Sequence, residues 1–158
     1  MLKKTLLALA FCVASVSAQA ALTVERETTI SDDFGGYASI QSNGVIGEQS
    51  GTRIAEANFV NFHPRDEQSS VNGSVQREVQ RDGELVSVSY DGALQLNGQR
   101  DGQAGQLTIE FTDLKIARGE ESVDLSGSLS LNGNSIDAAE APQPVRALLL
   151  GLLRFFRA

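Results

Sequence analysis

The chain is poor in the residues that carry most protein chemistry. Of its 158 residues one is cysteine, one is histidine, none is tryptophan, two are tyrosine and three are proline. Cys12 falls in a segment expected to be removed, so disulfides, thiol nucleophiles and thiolate metal sites are excluded from the mature chain. His63 has no second His or Cys to share a zinc ion with. The scarcity of aromatic rings leaves no stacking platform for bases or sugars.

What is present begins with an export pattern. Lys3 and Lys4 form a basic start, residues 6–16 an apolar run, and Ala18-Gln19-Ala20 a small-x-small exit. Charge, apolar run and small-residue exit stand in the order of a secretory signal peptide, which predicts removal of residues 1–20 and a mature start at Ala21. The run is short of the ~20 residues that span a bilayer. Cys12 follows the bulky Phe11 inside the apolar run, so it reads as an ordinary residue of the signal and not as a lipidation site.

Charge is unevenly placed. The formal net charge is −7; residues 21–140 hold 20 acidic and 8 basic residues, a net −12, whereas residues 141–158 carry only Arg146, Arg154 and Arg157. An acidic body repels phosphates, which excludes nucleic acid as a partner. After processing the chain is one domain long, enough to bury a core unaided.

Alternation with period two dominates residues 21–137. Leu107, Ile109 and Phe111 alternate with Thr108 and Glu110, and Val123, Leu125, Leu129 and Leu131 with Asp124, Ser126, Ser128 and Ser130. One face is apolar and one polar, as in an antiparallel sheet wet on one side. Asp82-Gly83, Asp91-Gly92, Asn97-Gly98, Asn132-Gly133 and Ser42-Asn43-Gly44 are turn sequences that tolerate positive φ. They predict strands near 22–30, 37–41, 53–60, 74–80, 84–90, 93–97, 106–112, 114–118 and 122–131, with loops at 31–36 and 63–72. Gly127, inside a strand, marks a bulge. Gly92-Ala93-Leu94-Gln95-Leu96-Asn97-Gly98 is echoed by Gly127-Ser128-Leu129-Ser130-Leu131-Asn132-Gly133, a pattern that two similar hairpin units would produce, but that chance produces more readily because alternating Leu bounded by Asn-Gly is common. The expected fold is all-β: an antiparallel sandwich, a small barrel or a curled meander sheet, with a short C-terminal amphipathic helix. A transmembrane barrel is disfavoured, because the expected strands are shorter than the ~9–11 residues needed to span and aromatic girdles are missing.

Residues 138–144, rich in Ala and Pro, read as a flexible linker. Residues 145–158 follow as a basic amphipathic tail, with Arg146, Arg154 and Arg157 in one sector at ~100° per residue. Three readings of the tail compete: an interfacial helix, a structural helix docked on the sheet, and a processed sorting signal. For the interfacial or partner-contact reading the residues are Arg146, Leu149, Leu152, Leu153, Arg154, Phe155, Phe156 and Arg157.

Catalytic constellations are thin. His63 sits in a polar loop with Pro64, Arg65, Asp66 and Glu67, and reads as solvated. The acid pairs Asp32-Asp33, Asp66-Glu67 and Glu120-Glu121 lack the spacing of a calcium loop, though Asp32-Asp33-Phe34-Gly35-Gly36 comes nearest. No Gly-x-Ser-x-Gly elbow and no phosphate loop occur. The expectation is an exported, non-catalytic protein of the bacterial envelope, periplasmic or extracellular, with no catalytic residue, metal or cofactor and an unidentified ligand or envelope protein as partner. The alternatives are a membrane-associated structural protein held at the membrane surface by its tail, and a secreted hydrolase.

Overall fold

The computed structural model describes residues 22–47, 49–64, 66–100, 103–118 and 123–157, with backbone alone for 100, 117, 118, 123, 152–154 and 157. The expected signal peptide and the Glu120-Glu121 pair lie outside these residues. Eight strands run β1 (Leu22–Ser31), β2 (Tyr37–Ile46), β3 (Ser50–Phe62), β4 (Ser69–Asp82), β5 (Leu85–Arg100), β6 (Gln103–Arg118), β7 (Val123–Leu131) and β8 (Asn134–Asp137). They form one open antiparallel sheet in sequence order, the meander among the three expected architectures. A 3-10 turn at Ala138–Glu140, helix α1 (Gln143–Leu153) and a second 3-10 turn at Arg154–Arg157 complete the chain.

Alternation sorts the side chains as the sequence predicts. Ala57, Phe59, Val75, Leu94, Ile109 and Leu129 point to one face and are buried there. The other face carries Glu25, Glu27, Glu56, Glu78 and Glu110 on the intervening positions, all exposed or partly so. Strand length is where the expectation fails: β3 to β6 are 13 to 16 residues long, not short segments. Length therefore gives no argument against a transmembrane barrel. The acidic outer face does, since a lipid-facing band is apolar.

The long strands arise because several turn sequences are not turns. Asp82-Gly83 and Asn132-Gly133 do reverse the chain, with Gly83 at φ 60° and Asn132 and Gly133 at 50° and 79°, the paired positive angles of a two-residue hairpin. Asn43-Gly44 lies inside β2 and Asn97-Gly98 inside β5. Asp91-Gly92 stands where pairing slips from Tyr90↔Leu114 to Gly92↔Phe111, so β5 continues through a bulge. The two echoed heptads share that role: each opens on a glycine at a register shift, Gly92 or Gly127, and points its leucines inward. They diverge at Asn-Gly, which continues the strand in the first and turns in the second.

A crease crosses the sheet at these bulges. Asn61 in β3 and Asp113 in β6 take positive φ, 44° and 49°. Each loses its place in the ladder, and each amide is recovered by a side chain on the neighbouring strand: Asn61 N donates to Asn72 Oδ1 at 2.8 Å, and Asp113 N to Asp91 Oδ1 at 2.9 Å. On the opposite side each bulge carbonyl abuts a glycine, Gly36 for Asn61 and Gly127 for Asp113, where a Cβ would collide. Gly73 and Gly92 similarly leave no room for a Cβ against the carbonyls of Ala93 and Ser74. Bulges and glycine kinks are how a sheet is bent, and this line curls the sheet around its apolar face.

Gly127 has φ 111° as well as the contact with the Asp113 carbonyl. Gly127→Ala is expected to cost about 1–3 kcal/mol in urea unfolding. Gly105→Ala, where an added Cβ meets nothing within 4 Å, is expected to stay within about 0.5 kcal/mol of the parent. Equal stability of both variants would remove the crease as a constraint.

Candidate functional site

The apolar face of a single sheet needs a covering layer, and the C-terminal segment supplies it. Ala138, Ala141, Val145 and Leu149 join the same buried cluster as the sheet residues, with Leu149 fully buried. The Phe155 ring stands edge-on to Phe59 and Phe62, centroids 5.7 and 5.3 Å away, and Phe156 meets Tyr90 at 6.1 Å. Residues 138–141 are thus not a flexible linker. The small side chains of Ala138 and Ala141 let the chain run close against the sheet, and Asp137 caps the turn by accepting from Ala139 N at 2.8 Å.

The structure divides the expected contact residues of the tail. Leu149, Phe155 and Phe156 face the sheet in this conformation. Arg146 folds back: its Nε donates to the Ala141 carbonyl at 2.9 Å and its Nη2 to that of Ala139. The side chains of Leu152, Leu153, Arg154 and Arg157 lie outside the described part. Among the described residues no helix is long and apolar enough to cross a membrane.

Beside the two phenylalanines lies a small cavity of about 40 Å³, walled by Ile30, Ile40 and Ala55 and by the polar Thr28, Ser42, Arg26 and Arg53. Arg53 Nη2 reaches Ser42 Oγ at 3.4 Å. Arg77 belongs to the same face, since it opposes Ala55 on β3 and Tyr90 on β5. These arginines were missed by sequence reasoning. That each shares its strand's apolar face is visible in the alternation, but only the strand register brings them together. A broader open depression of about 710 Å³ lies at the other end, rimmed by amides and hydroxyls such as Gln68, Ser70, Asn97 and Gln106.

His63 is the second surprise. Its side chain is only 9% exposed, so the solvated-loop expectation is wrong. Asp32, from the β1–β2 loop, binds it at the end of β3: Asp32 Oδ2 accepts from His63 N at 2.6 Å and lies 3.0 Å from His63 Nδ1. Asp32 Oδ1 accepts from Phe34 N at 2.8 Å and Gly36 N at 2.9 Å. Phe34 packs edge-on against the imidazole with centroids 5.4 Å apart. Burial works against the charged carboxyl, but hydrogen bonds from the amides of His63, Gly36 and Phe34 and from the His63 ring outweigh it and lower its pKa to about 2. The loop that came nearest to a calcium site thus spends its carboxylate on backbone donors. No group of three His, Cys, Asp or Glu placed to hold a metal ion occurs among the described residues. The His63–Asp32 pair resembles the base and orienter of a triad, yet among the described residues no hydroxyl or thiol hydrogen-bonds His63. It acts as a staple between two loops that are 31 positions apart.

Comparison with known proteins finds no matching family model, no matching curated protein and no matching solved structure.

Two outcomes follow from this packing. Leu149→Ala is expected to cost about 2–5 kcal/mol in urea unfolding, and deletion of residues 145–158 to abolish a single cooperative melt; a truncated protein with the parent's melt would show that the sheet needs no cover. Asp32 is held below its unfolded value of about 3.9, so it stabilises the fold above that pH and the contribution is lost as pH falls from about 4 toward 2. Asp32→Asn is expected to lower the thermal midpoint at neutral pH and to flatten its dependence between pH 4 and 2. An unchanged acid limb would assign acid lability to other carboxylates.

Proposed function

We propose that the chain is an exported, non-catalytic module of the bacterial cell envelope, periplasmic or surface-associated, that acts by binding. The observation that carries this reading is the character of the inner face near the cavity. Arginine, hydroxyl and apolar side chains converge there, and no activated base or nucleophile stands among the described residues that line it. Such a mixture fits holding a ligand. The basic start, apolar run and Ala18-Gln19-Ala20 exit support export. The reading of a protein held at the membrane by its tail has less support, because Leu149, Phe155 and Phe156 would have to leave the core to enter lipid.

The test is fractionation of the full chain produced in a Gram-negative bacterium, with intact-mass measurement. A periplasmic or medium fraction lacking the first 20 residues is expected. Unprocessed protein in the cytoplasm would overturn export. Membrane-bound protein released by salt or detergent would favour the tail-held alternative.

A further inference from the structure

Charge is sorted by face. Glu25, Glu27, Glu56 and Glu78 occupy outward positions of β1, β3 and β4. The inward positions of those strands carry, as ionisable groups among the described residues, only Arg26, Arg53, Arg77 and Arg81. Register places Arg26 opposite Ser42, Ser42 opposite Ala55, and Ala55 opposite Arg77, one row across four strands. Arg53 lies one step further along, opposite Gly44 and Val79. Arg81, at the strand tip, is turned to the Gly83 carbonyl at 3.0 Å.

The row lies between two apolar regions. On one side are Ile30, Ile40, Phe155 and Phe156 of the core. On the other the same face continues as an open trough. Val24, Val79 and Val88 are half-buried there, while Leu22, Ile46 and Val86 stand 53%, 48% and 61% exposed. Gly44 and Gly51 keep its floor low between them. Arg77 Nε is buried with no hydrogen-bond partner among the described residues. A buried donor without an acceptor is costly, and a guanidinium is best satisfied by a carboxylate or phosphate.

We propose that this trough binds an anionic amphiphile with one alkyl chain. The carboxylate or phosphate head sits on Arg53 and Arg77 with the Ser42 hydroxyl, under the field of Arg26, and the chain lies along Val24, Ile46 and Val86. The small cavity admits a head group, and the open trough the chain. The proposal rests on the binding role given above and names its ligand class.

The experiment is calorimetric titration of the purified, processed protein with four probes below their micelle concentrations: dodecanoate, dodecyl phosphate, dodecyltrimethylammonium and inorganic phosphate. The two anionic amphiphiles are expected to bind one to one, and the other two to bind at least tenfold more weakly. Arg53→Gln and Arg77→Gln are each expected to weaken dodecyl phosphate about tenfold or more, with the circular dichroism spectrum unchanged. Arg53 is exposed, so its variant keeps the test valid should Arg77→Gln fail to fold. Equal binding of the cationic amphiphile would reduce the trough to an apolar patch. Equal binding of inorganic phosphate would make it a bare anion site. Either result, no binding at all, or indifference to Arg53→Gln overturns the proposal. The titration does not depend on where the protein resides, so a correctly exported protein that ignores amphiphiles would lose this inference and keep the proposed location.

Discussion

Everything in this fold depends on the last fifteen or so residues covering the inner face of the sheet. One antiparallel sheet has no interior of its own, because whatever alternation gathers on one face remains wet until a second layer arrives. Here that layer is a single helix of eleven residues between two 3-10 turns, the last part of the chain. Val145 and Leu149 enter the cluster from the helix, and Phe155 reaches Phe59 and Phe62 from the turn beyond it. Each fully buried side chain of this size contributes on the order of 1.5–3 kcal/mol, a large share of a small domain's net stability. The hairpins are local and can pair early, but the contacts that close the core join β3 to residues almost a hundred positions later.

A flat sheet could not receive so short a cover. The crease solves this by bending the strands along a line that runs obliquely across the sheet, and it uses one device twice in mirrored order. Asn61 takes a left-handed angle, touches Gly36 on one side and is tied to Asn72 on the other. Asp113 takes the same angle, touches Gly127 and is tied to Asp91. The bulge exposes an amide, the neighbouring Asx side chain recovers it, and glycine makes room for the displaced carbonyl. Local backbone chemistry thereby sets the curvature that lets a helix of eleven residues serve as the second layer.

This shared chemistry explains what was legible in the sequence and what was not. Strand existence and inward faces follow from alternation alone, so Leu107, Ile109 and Phe111, or Leu125 and Leu129, were readable. Asn-Gly and Asp-Gly were ambiguous, because such a pair turns the chain with positive φ at Asn132-Gly133, whereas Asp91-Gly92 stays in the strand opposite a bulge whose positive φ belongs to Asp113 of β6. Reading Asp91-Gly92 as a turn cut the sixteen-residue β5 in two. Gly127 escaped the error because it interrupts an otherwise continuous alternation. Asp32 and His63 were each visible, but their partnership joins loops on different hairpins and no local pattern encodes it. Ala138 and Ala141 looked like linker because small residues suit both a flexible segment and a close-packed one.

The arginines are the part that stability does not account for. Arg77, the half-buried member of the row, carries a desolvation cost that a valine at the same position would avoid, and the chain places valine readily at neighbouring inward sites such as Val75 and Val79. Random placement is also a poor explanation in a body with 20 acidic and 8 basic residues, since inward positions of β1, β3 and β4 then should have drawn acids first. Selection for solubility acts on the outer face, where Glu25, Glu27, Glu56 and Glu78 already stand. What remains is a requirement of the inner face itself. A negative exterior repels anions over about a Debye length, roughly 8–10 Å in physiological salt, whereas Arg77, half-buried beside apolar walls, acts in a lower dielectric, where charge counts for more. The same sorting that keeps the outside acidic therefore concentrates attraction for an anion at one place, between the aromatic core and the open trough.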